Sequence, residues 1–112
     1  MPRFLRTKII IMLVYNVTTK VDHAILNEWI KWQQEIHIPA IIATGLFFEH
    51  KFFQLLEQDE EEGKTFVSQF FTESKENYEK YLQQYAPQLR KQSHERWAHR
   101  IFSFRSLLQE MI

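Results

Sequence analysis

The residues best suited to chemistry are Gln33 and His37, which lie four positions apart in a segment with helical periodicity. Side chains at this spacing lie one above the other on a helix. Both interrupt a face that is otherwise apolar, so they could form the polar floor of a pocket, where His37 could exchange a proton near neutral pH. The alternative is structural: the His37 ring would hydrogen-bond a backbone carbonyl and fix the turn before Pro39.

Three further residues complete the candidate pocket. Asn16 is a polar side chain inside an apolar, strand-like run, and a buried asparagine needs hydrogen-bond partners. Trp29 and Trp32 lie on the inner side of the helix that carries His37, where an indole can stack on an aromatic ligand. Each feature also has a plain explanation, since Asn16 could satisfy the backbone at the strand's end and both tryptophans could pack in the core.

The composition excludes several kinds of site. The chain has no cysteine, which excludes disulfides, thiolate catalysis and zinc–sulfur sites. Its two glycines, Gly45 and Gly63, are too far apart for a glycine-rich phosphate loop. No two of the five histidines are four positions apart, and no carboxylate cluster completes a ligand set, so we predict no metal site and no cofactor.

Charge is balanced overall but uneven along the chain. The 14 basic and 14 acidic residues give a net charge of zero, which argues against a nucleic-acid partner. The acidic turn at residues 57–63 is expected to aid solubility. The last third carries a basic set: Arg90, Lys91, Arg96, Arg100 and Arg105. This set could pair with an acidic turn or bind a phosphate or carboxylate.

The candidate pocket must be positioned by the helix that approaches Pro39. Apolar residues recur with helical spacing from Ile25 to Ile36, and polar residues fall on the opposite side. Pro39 disfavours helical geometry at Ile38, which predicts a break and then a second, short helix. Gly45 is expected to end that helix with a positive φ angle.

Four segments are predicted to be strands, at residues 9–17, 47–56, 65–72 and 100–108. The first is apolar and rich in β-branched residues, which is typical of a strand in the middle of a sheet. A second helix is expected to begin after Ser74. The order β-α-β-β-α-β is the ferredoxin-like arrangement, so we predict an α+β fold with two helices on one face of a four-stranded antiparallel sheet.

We expect one domain at residues 9–112, preceded by a loosely ordered extension at residues 1–8, with Met12 as a second candidate start. The apolar run at 9–14 is too short for an export signal or a membrane span, so we expect a cytoplasmic protein with no membrane partner. The sheet face opposite the helices would expose apolar and aromatic residues. A homodimer packed sheet to sheet is therefore predicted.

Four segments carry a family resemblance: YNVT (15–18), EWIKW…HIPAIIATGLF (28–47), YLQQYAPQLR (81–90) and RW…FSFR (96–105). Over residues 12–108 the chain resembles a small bacterial family of unknown function in the dimeric α+β barrel superfamily of ferredoxin-like proteins. The resemblance implies this fold. Superfamily relatives include small monooxygenases, haem-degrading enzymes and stress-response proteins that use a pocket between helices and sheet, and these activities come to this chain only as fold analogy.

Three functional classes follow from these observations. The leading one is a homodimeric protein that binds a small apolar or aromatic molecule between the first helix and the sheet. The second is a cofactor-independent monooxygenase or isomerase, or a haem-degrading enzyme, in which His37 and Asn16 handle protons or an oxyanion. The third is a structural or protein-interaction module whose pocket is filled by its own aromatic residues. Room beside His37 would favour the first two classes, and a closed pocket would favour the third.

Overall fold

The computed structural model of the protein describes residues 10–112, in which four strands form one antiparallel sheet. The strands are β1 (Leu13–Asp22), β2 (Glu49–Leu55), β3 (Gly63–Thr72) and β4 (Ile101–Gln109). Their order across the sheet is β2-β3-β1-β4, so β1 lies in the middle, as predicted. The predicted N-terminal extension at residues 1–8 lies outside the described residues.

Two helical segments pack on one face of this sheet. The first follows a 3₁₀ turn and consists of α1 (Leu26–Trp32), a π-helical turn (Gln33–His37) and α2 (Ile38–Ile42). The second consists of α3 (Lys75–Gln84) and α4 (Ala86–Trp97). The element order is therefore β-α-β-β-α-β, and the predicted ferredoxin-like α+β fold is confirmed.

The ends of the helical segments are set by local hydrogen bonds. The Asp22 carboxylate accepts a bond from the backbone N–H of Ala24 at 2.8 Å. The Ser74 hydroxyl accepts a bond from the N–H of Asn77 at 3.1 Å and so caps α3. Gly45 has a φ of +77° and follows α2, as predicted. These short-range signals position the helices before any tertiary contact is considered.

The predicted helix break at Pro39 is wrong. Ile38 is helical, with φ −60° and ψ −47°, and its N–H donates to the carbonyl of Gln33, five positions earlier. A π turn is wider than an α turn and relieves the clash between a proline ring and the carbonyl four positions before it. The helix therefore runs through Pro39. Ile36, which was predicted on the buried side, is 59% exposed because the π turn shifts the register.

The position of β1 also differs from the prediction. The strand starts and ends later than the predicted segment at 9–17. Residues Thr18–Val21, predicted as a connection, continue the strand because Thr19 and Val21 point alternately into the core and are 4% and 0% exposed. Ile10 precedes the strand and is 52% exposed. The other three strands lie within two residues of their predicted bounds.

Two aromatic clusters fill the space between helices and sheet. In the first, the Tyr15 ring lies 5.5 Å from Tyr81 and 6.1 Å from Phe70, measured between centroids. In the second, the Trp29 ring lies 5.3 Å from Phe66. Aromatic rings at these distances combine large buried area with a fixed geometry. The clusters hold the helical layer on the sheet at two separate places.

The opposite face of the sheet is not covered by a helix within the described part of the chain. Large apolar side chains on it are exposed: Phe53 by 47%, Phe102 by 70%, Phe104 by 57% and Leu108 by 44%. An apolar patch of this kind commonly marks an interface. In residues 10–112, no helix combines the length and hydrophobicity that crossing a bilayer requires.

Candidate functional site

The π turn sets the direction of the candidate side chains in the first helical segment. Its buried positions are Ile25, Trp29, Gln33, Ile38 and Ile41, at spacings of 4, 4, 5 and 3. A regular α-helix would bury residues at steps of three or four. The step of five spans the π turn, and it brings Gln33 and His37 to the inner side together with Ile38. Such turns occur often at functional sites.

A cavity lies beneath the π turn, between the two aromatic clusters. The sheet residues there form a row in which Val17 is paired with Ser68 of β3 and Arg105 of β4. The neighbouring rows carry Phe70 on one side and Phe66 on the other. The row continues to Phe52 of β2, but over β3, β1 and β4 it holds small side chains and an extended one, so it fills less space there than the aromatic rings on both sides. The cavity is a consequence of this row.

The cavity is lined by both polar and apolar groups. The polar lining comes from Gln33, His37, Ser68, Tyr81, Arg90 and Arg105. The apolar and aromatic walls come from Tyr15, Val17, Ile41, Phe70 and Leu89. The space open to the centre of a water molecule is about 30 Å³, enough for about two waters. The pocket is thus narrow and suits a small polar molecule.

Gln33 carries an unpaired polar atom inside the protein. The side chain is 7% exposed, and its amide oxygen Oε1 has no hydrogen-bond partner among the described residues. A buried carbonyl oxygen without a donor costs about 1–3 kcal/mol. The amide lines the cavity, so a water or a ligand in the cavity could supply the donor.

Arg90 and Arg105 bring two positive charges to the cavity. Arg90 Nη2 donates to the Tyr15 hydroxyl oxygen at 3.0 Å. Among residues 10–112, the one ion pair within 4 Å joins Lys75 to Glu79, far along the surface, so neither arginine is paired with a carboxylate. Two guanidinium groups beside one cavity favour an anion between them.

His37 lies on the cavity wall in its uncharged form. Burial lowers the pKa of His37 to about 4, and the positive charge of Arg105 acts in the same direction. At neutral pH one ring nitrogen can therefore donate a hydrogen bond and the other can accept one. The ring stacks on Trp32, with centroids 4.5 Å apart. This stacking restrains the plane of the imidazole ring.

Tyr81 adds a hydroxyl group that stays protonated. The side chain is 2% exposed. Burial and the neighbouring Tyr15 raise the pKa of Tyr81, and the charges of Arg90 and Arg105 offset this only in part. The hydroxyl of Tyr81 is therefore protonated at neutral pH and can donate a hydrogen bond.

The five candidate pocket residues do not all meet at this cavity. Gln33 and His37 line it, and Trp32 stacks behind His37. Trp29 is 1% exposed in the second aromatic cluster and does not reach the cavity. Asn16 points to the open face of the sheet, where its amide oxygen accepts a bond from Gln69 Nε2 at 3.1 Å. The sheet therefore separates Asn16 from His37.

Sequence reasoning placed neither arginine in the pocket. In β4, Ser103 and Arg105 alternate with Phe102 and Phe104, and the pairing with β1 places Ser103 and Arg105 on the side of the helices. That alternation was the available signal for Arg105. Arg90 lies on α4 and contacts Tyr15 of β1, and no local pattern indicates such a contact.

No metal centre is present in the described ranges. In residues 10–112, no three histidine, aspartate or glutamate side chains come together in a way that could hold a metal ion. The lining of the cavity offers guanidinium, hydroxyl, amide and imidazole groups instead. This donor set suits an organic anion better than a cation.

Comparison with known proteins identifies the fold and the family. A crystal structure of a dimeric ferredoxin-like protein from an uncultured marine organism matches with a TM-score of 0.62 and 7% identity, over 91% of this chain and 97% of that chain. At this identity the likeness shows the fold alone. A protein described as PII-like and signaling, from Thermus thermophilus, matches with a TM-score of 0.38 and 8% identity, over 92% of this chain and 94% of that chain.

No curated protein matches the chain. The model of a family described as "Domain of unknown function (DUF4286)" matches residues 12–111. This agrees with the resemblance over residues 12–108 to a family of unknown function. Because the match covers most of the sequence, the chain belongs to the DUF4286 family.

Proposed function

We propose that the protein binds a small molecule in the cavity beneath the π turn, and that it does so as a homodimer formed through the open face of its sheet. The observation that carries the binding proposal is the buried, unpaired amide oxygen of Gln33 beside two arginines without acidic partners. A bound ligand would stabilise the folded chain in two ways. A donor near Gln33 would pair the buried amide oxygen, and an anion near Arg90 and Arg105 would reduce the repulsion between the two positive charges.

The walls of the cavity support binding of an organic molecule. Val17, Ile41 and Leu89 offer apolar contacts, while the polar groups converge from the π turn, β4 and α4. Ligand sites commonly combine apolar walls with a few placed polar groups. The narrow space selects a small ligand. The small apolar or aromatic ligand expected from the sequence would meet apolar groups on only part of the wall, because polar groups line the rest.

The dimer proposal follows from the open face. Phe53 and Phe104 lie in one row across it, with Val67 and Thr18 between them by strand pairing. A second copy of the same face would remove these rings from water at about 25 cal/mol per Å² of apolar area. The ferredoxin-like protein that shares the fold is described as dimeric, and we extend that assembly to this chain.

The dimer is tested by light scattering on two matched variants. Phe104→Lys introduces a charge into the proposed interface, and we expect it to give the monomer mass at micromolar concentration. Ile36→Lys is the control, because Ile36 is 59% exposed and Phe104 57%, but Ile36 lies on the helical layer. Ile36→Lys should keep the dimer mass. A wild-type protein of monomer mass would refute the dimer and leave the cavity proposal standing.

The cavity is tested by a thermal-shift screen of small metabolites against the wild type and Ser68→Leu. A ligand that binds the folded state raises the melting temperature. Ser68 is 6% exposed and lines the cavity, so leucine at this position should fill the space and abolish the shift. Circular dichroism checks that the variant folds. Compounds that shift both proteins equally bind elsewhere and would count against the proposal.

The two alternatives have less support. An enzyme that pairs His37 with Asn16 would need both on one side of the sheet, and they lie on opposite sides. A haem does not fit the cavity, because the volume open to the centre of a water molecule is only about 30 Å³. A purely structural module predicts that no small molecule shifts the melting temperature and that a water alone pairs Gln33. The screen described above separates that reading from ligand binding.

A further inference from the structure

We propose that the cavity recognises a small 2-hydroxycarboxylate, with its carboxylate held by Arg90 and Arg105 and its hydroxyl donating to the amide oxygen of Gln33. This inference rests on the proposed function, because it names the ligand class of the same cavity. It differs from the apolar or aromatic ligand expected from the sequence. Three independent features of the lining carry it: two unpaired cations, one buried acceptor and the size of the space.

The two arginines favour an anionic ligand over a neutral one. They come from different elements, α4 and β4, and both line the cavity. Like charges that share a site repel each other, and no carboxylate of residues 10–112 lies within 4 Å of either guanidinium. Both arginines are exposed residues that also line the cavity, which places them where the cavity meets solvent. The anionic end of the ligand should therefore sit at the mouth.

The arginine geometry favours a carboxylate. A guanidinium presents paired N–H groups that match the two oxygens of a carboxylate. Arg90 is also anchored, since its Nη2 donates to the Tyr15 hydroxyl at 3.0 Å. A restrained guanidinium loses less conformational freedom when it binds a ligand. The remaining N–H groups of Arg90 are available to an anion.

Gln33 specifies the second group of the ligand. Its Oε1 atom is an acceptor without a donor in the described part of the chain, and the side chain is 7% exposed. A carboxylate cannot satisfy this oxygen, because both are acceptors. A hydroxyl group can. The volume open to the centre of a water molecule is only about 30 Å³, so the hydroxyl of the ligand must lie close to its carboxylate.

His37 and the apolar walls refine this specificity. The imidazole is uncharged at neutral pH and adds no third positive charge, so a monoanion is sufficient for the site. Val17 and Ile41 line the cavity with apolar surface, against which a carbon atom is better placed than a charged oxygen. This argues for a hydroxy acid over an inorganic phosphate.

The test is an NMR titration of the full chain with three matched probes at constant ionic strength. Glycolate carries both groups, acetate lacks the hydroxyl, and glycolamide lacks the charge. Ligands of this size bind weakly, so backbone amide shifts of the π turn are the readout. We expect glycolate to bind at least about tenfold more tightly than glycolamide and several-fold more tightly than acetate.

Arginine variants localise the effect. Arg105→Gln and Arg90→Gln should each weaken glycolate binding by about tenfold, the usual loss for a charged hydrogen bond. Lys91→Gln is the matched control, because Lys91 neighbours Arg90 on α4 but does not line the cavity. It should leave the affinity unchanged. Equal losses in all three variants would mean that only the overall charge matters, and would overturn the proposal.

The outcomes separate this inference from the proposed function. If glycolamide binds as tightly as glycolate, or if phosphate displaces glycolate with higher affinity, the hydroxycarboxylate assignment is wrong and the binding cavity survives. If none of the probes shifts the amide signals of the π turn while the metabolite screen finds another cavity ligand, the hydroxycarboxylate assignment is again wrong and the binding cavity again survives. If no compound binds in either experiment, both proposals fall.

Discussion

The imidazole of His37 stacks on the indole of Trp32, with ring centroids 4.5 Å apart and planes inclined by 18°. The same indole meets Trp97 edge-on at 5.7 Å. The imidazole of His37 therefore lies between the indole of Trp32 and the cavity. Burial and the charge of Arg105 lower the pKa of His37 and keep the ring uncharged at neutral pH, while Trp32 packs against its face.

The first prediction concerns the pH dependence of stability. The pKa of His37 is lowered from its ordinary value of 6.5 to about 4 in the folded protein. Between these values the unfolded chain binds a proton that the folded chain does not, so acidification favours unfolding. The stability linked to His37 is complete above pH 6.5 and falls as the pH drops through 4. The total loss is at most about 3 kcal/mol.

Urea unfolding of the wild type and His37→Phe at pH 7 and pH 5 checks this. Phenylalanine keeps the ring that stacks on Trp32 and cannot be protonated. The wild type should lose about 2 kcal/mol more than the variant between the two pH values. His99→Phe, at an exposed position, should behave as the wild type does. Parallel curves for wild type and His37→Phe would show that His37 does not titrate below its ordinary range.

The second prediction concerns the buried amide of Gln33. Gln33→Leu removes an unpaired polar atom from a site that is 7% exposed. The free energy of unfolding should stay equal or rise by about 1 kcal/mol in ligand-free protein, while glycolate binding is lost. Gln34→Leu is the control, because Gln34 is the exposed neighbour and should change neither quantity by much. A clear loss of stability in Gln33→Leu would show that the amide is already paired.

Local sequence patterns were sufficient for the topology. The caps at Asp22 and Ser74 and the glycine at 45 act through contacts a few residues apart, so the sequence specifies them directly. The order of elements then leaves few ways to connect a four-stranded sheet. The fold was predictable for this reason.

The site was only partly predictable because two of its determinants are not local. The burial step of five between Gln33 and Ile38 fits neither helical template, so periodicity placed Ile36 inside, and the usual effect of a proline on the residue before it placed a break at Pro39. The face of Asn16 depends on the register of β1. A strand that seems apolar on both faces gives no indication of which face the helices cover.

The third prediction concerns Pro39, which lies within a continuous helical segment. Burial of Ile38 and Ile41, worth about 1.5–3 kcal/mol each, holds the register of that segment. Pro39→Ala should therefore cost no more than about 1 kcal/mol, mainly through the freer unfolded chain. Urea unfolding measures the difference, with Pro87→Ala at the start of α4 as the control for that effect. A loss well beyond the control would mean that the proline itself maintains the π turn.

The last prediction compares the two glycines. A Cβ atom at Gly63 would clash with the carbonyl oxygen of Val21 and lie 2.8 Å from its carbon, both in the backbone of the central strand. Neither atom can move without disturbing the pairing of β1 and β3, so Gly63→Ala should cost about 2–4 kcal/mol. At Gly45 a Cβ would meet no atom within 4 Å, and only its φ of +77° opposes a side chain. Gly45→Ala should cost about 1–2 kcal/mol.

Both substitutions change the unfolded chain equally, so the difference in their urea midpoints isolates the steric contact. Equal midpoints would show that the end of β3 can shift away from β1.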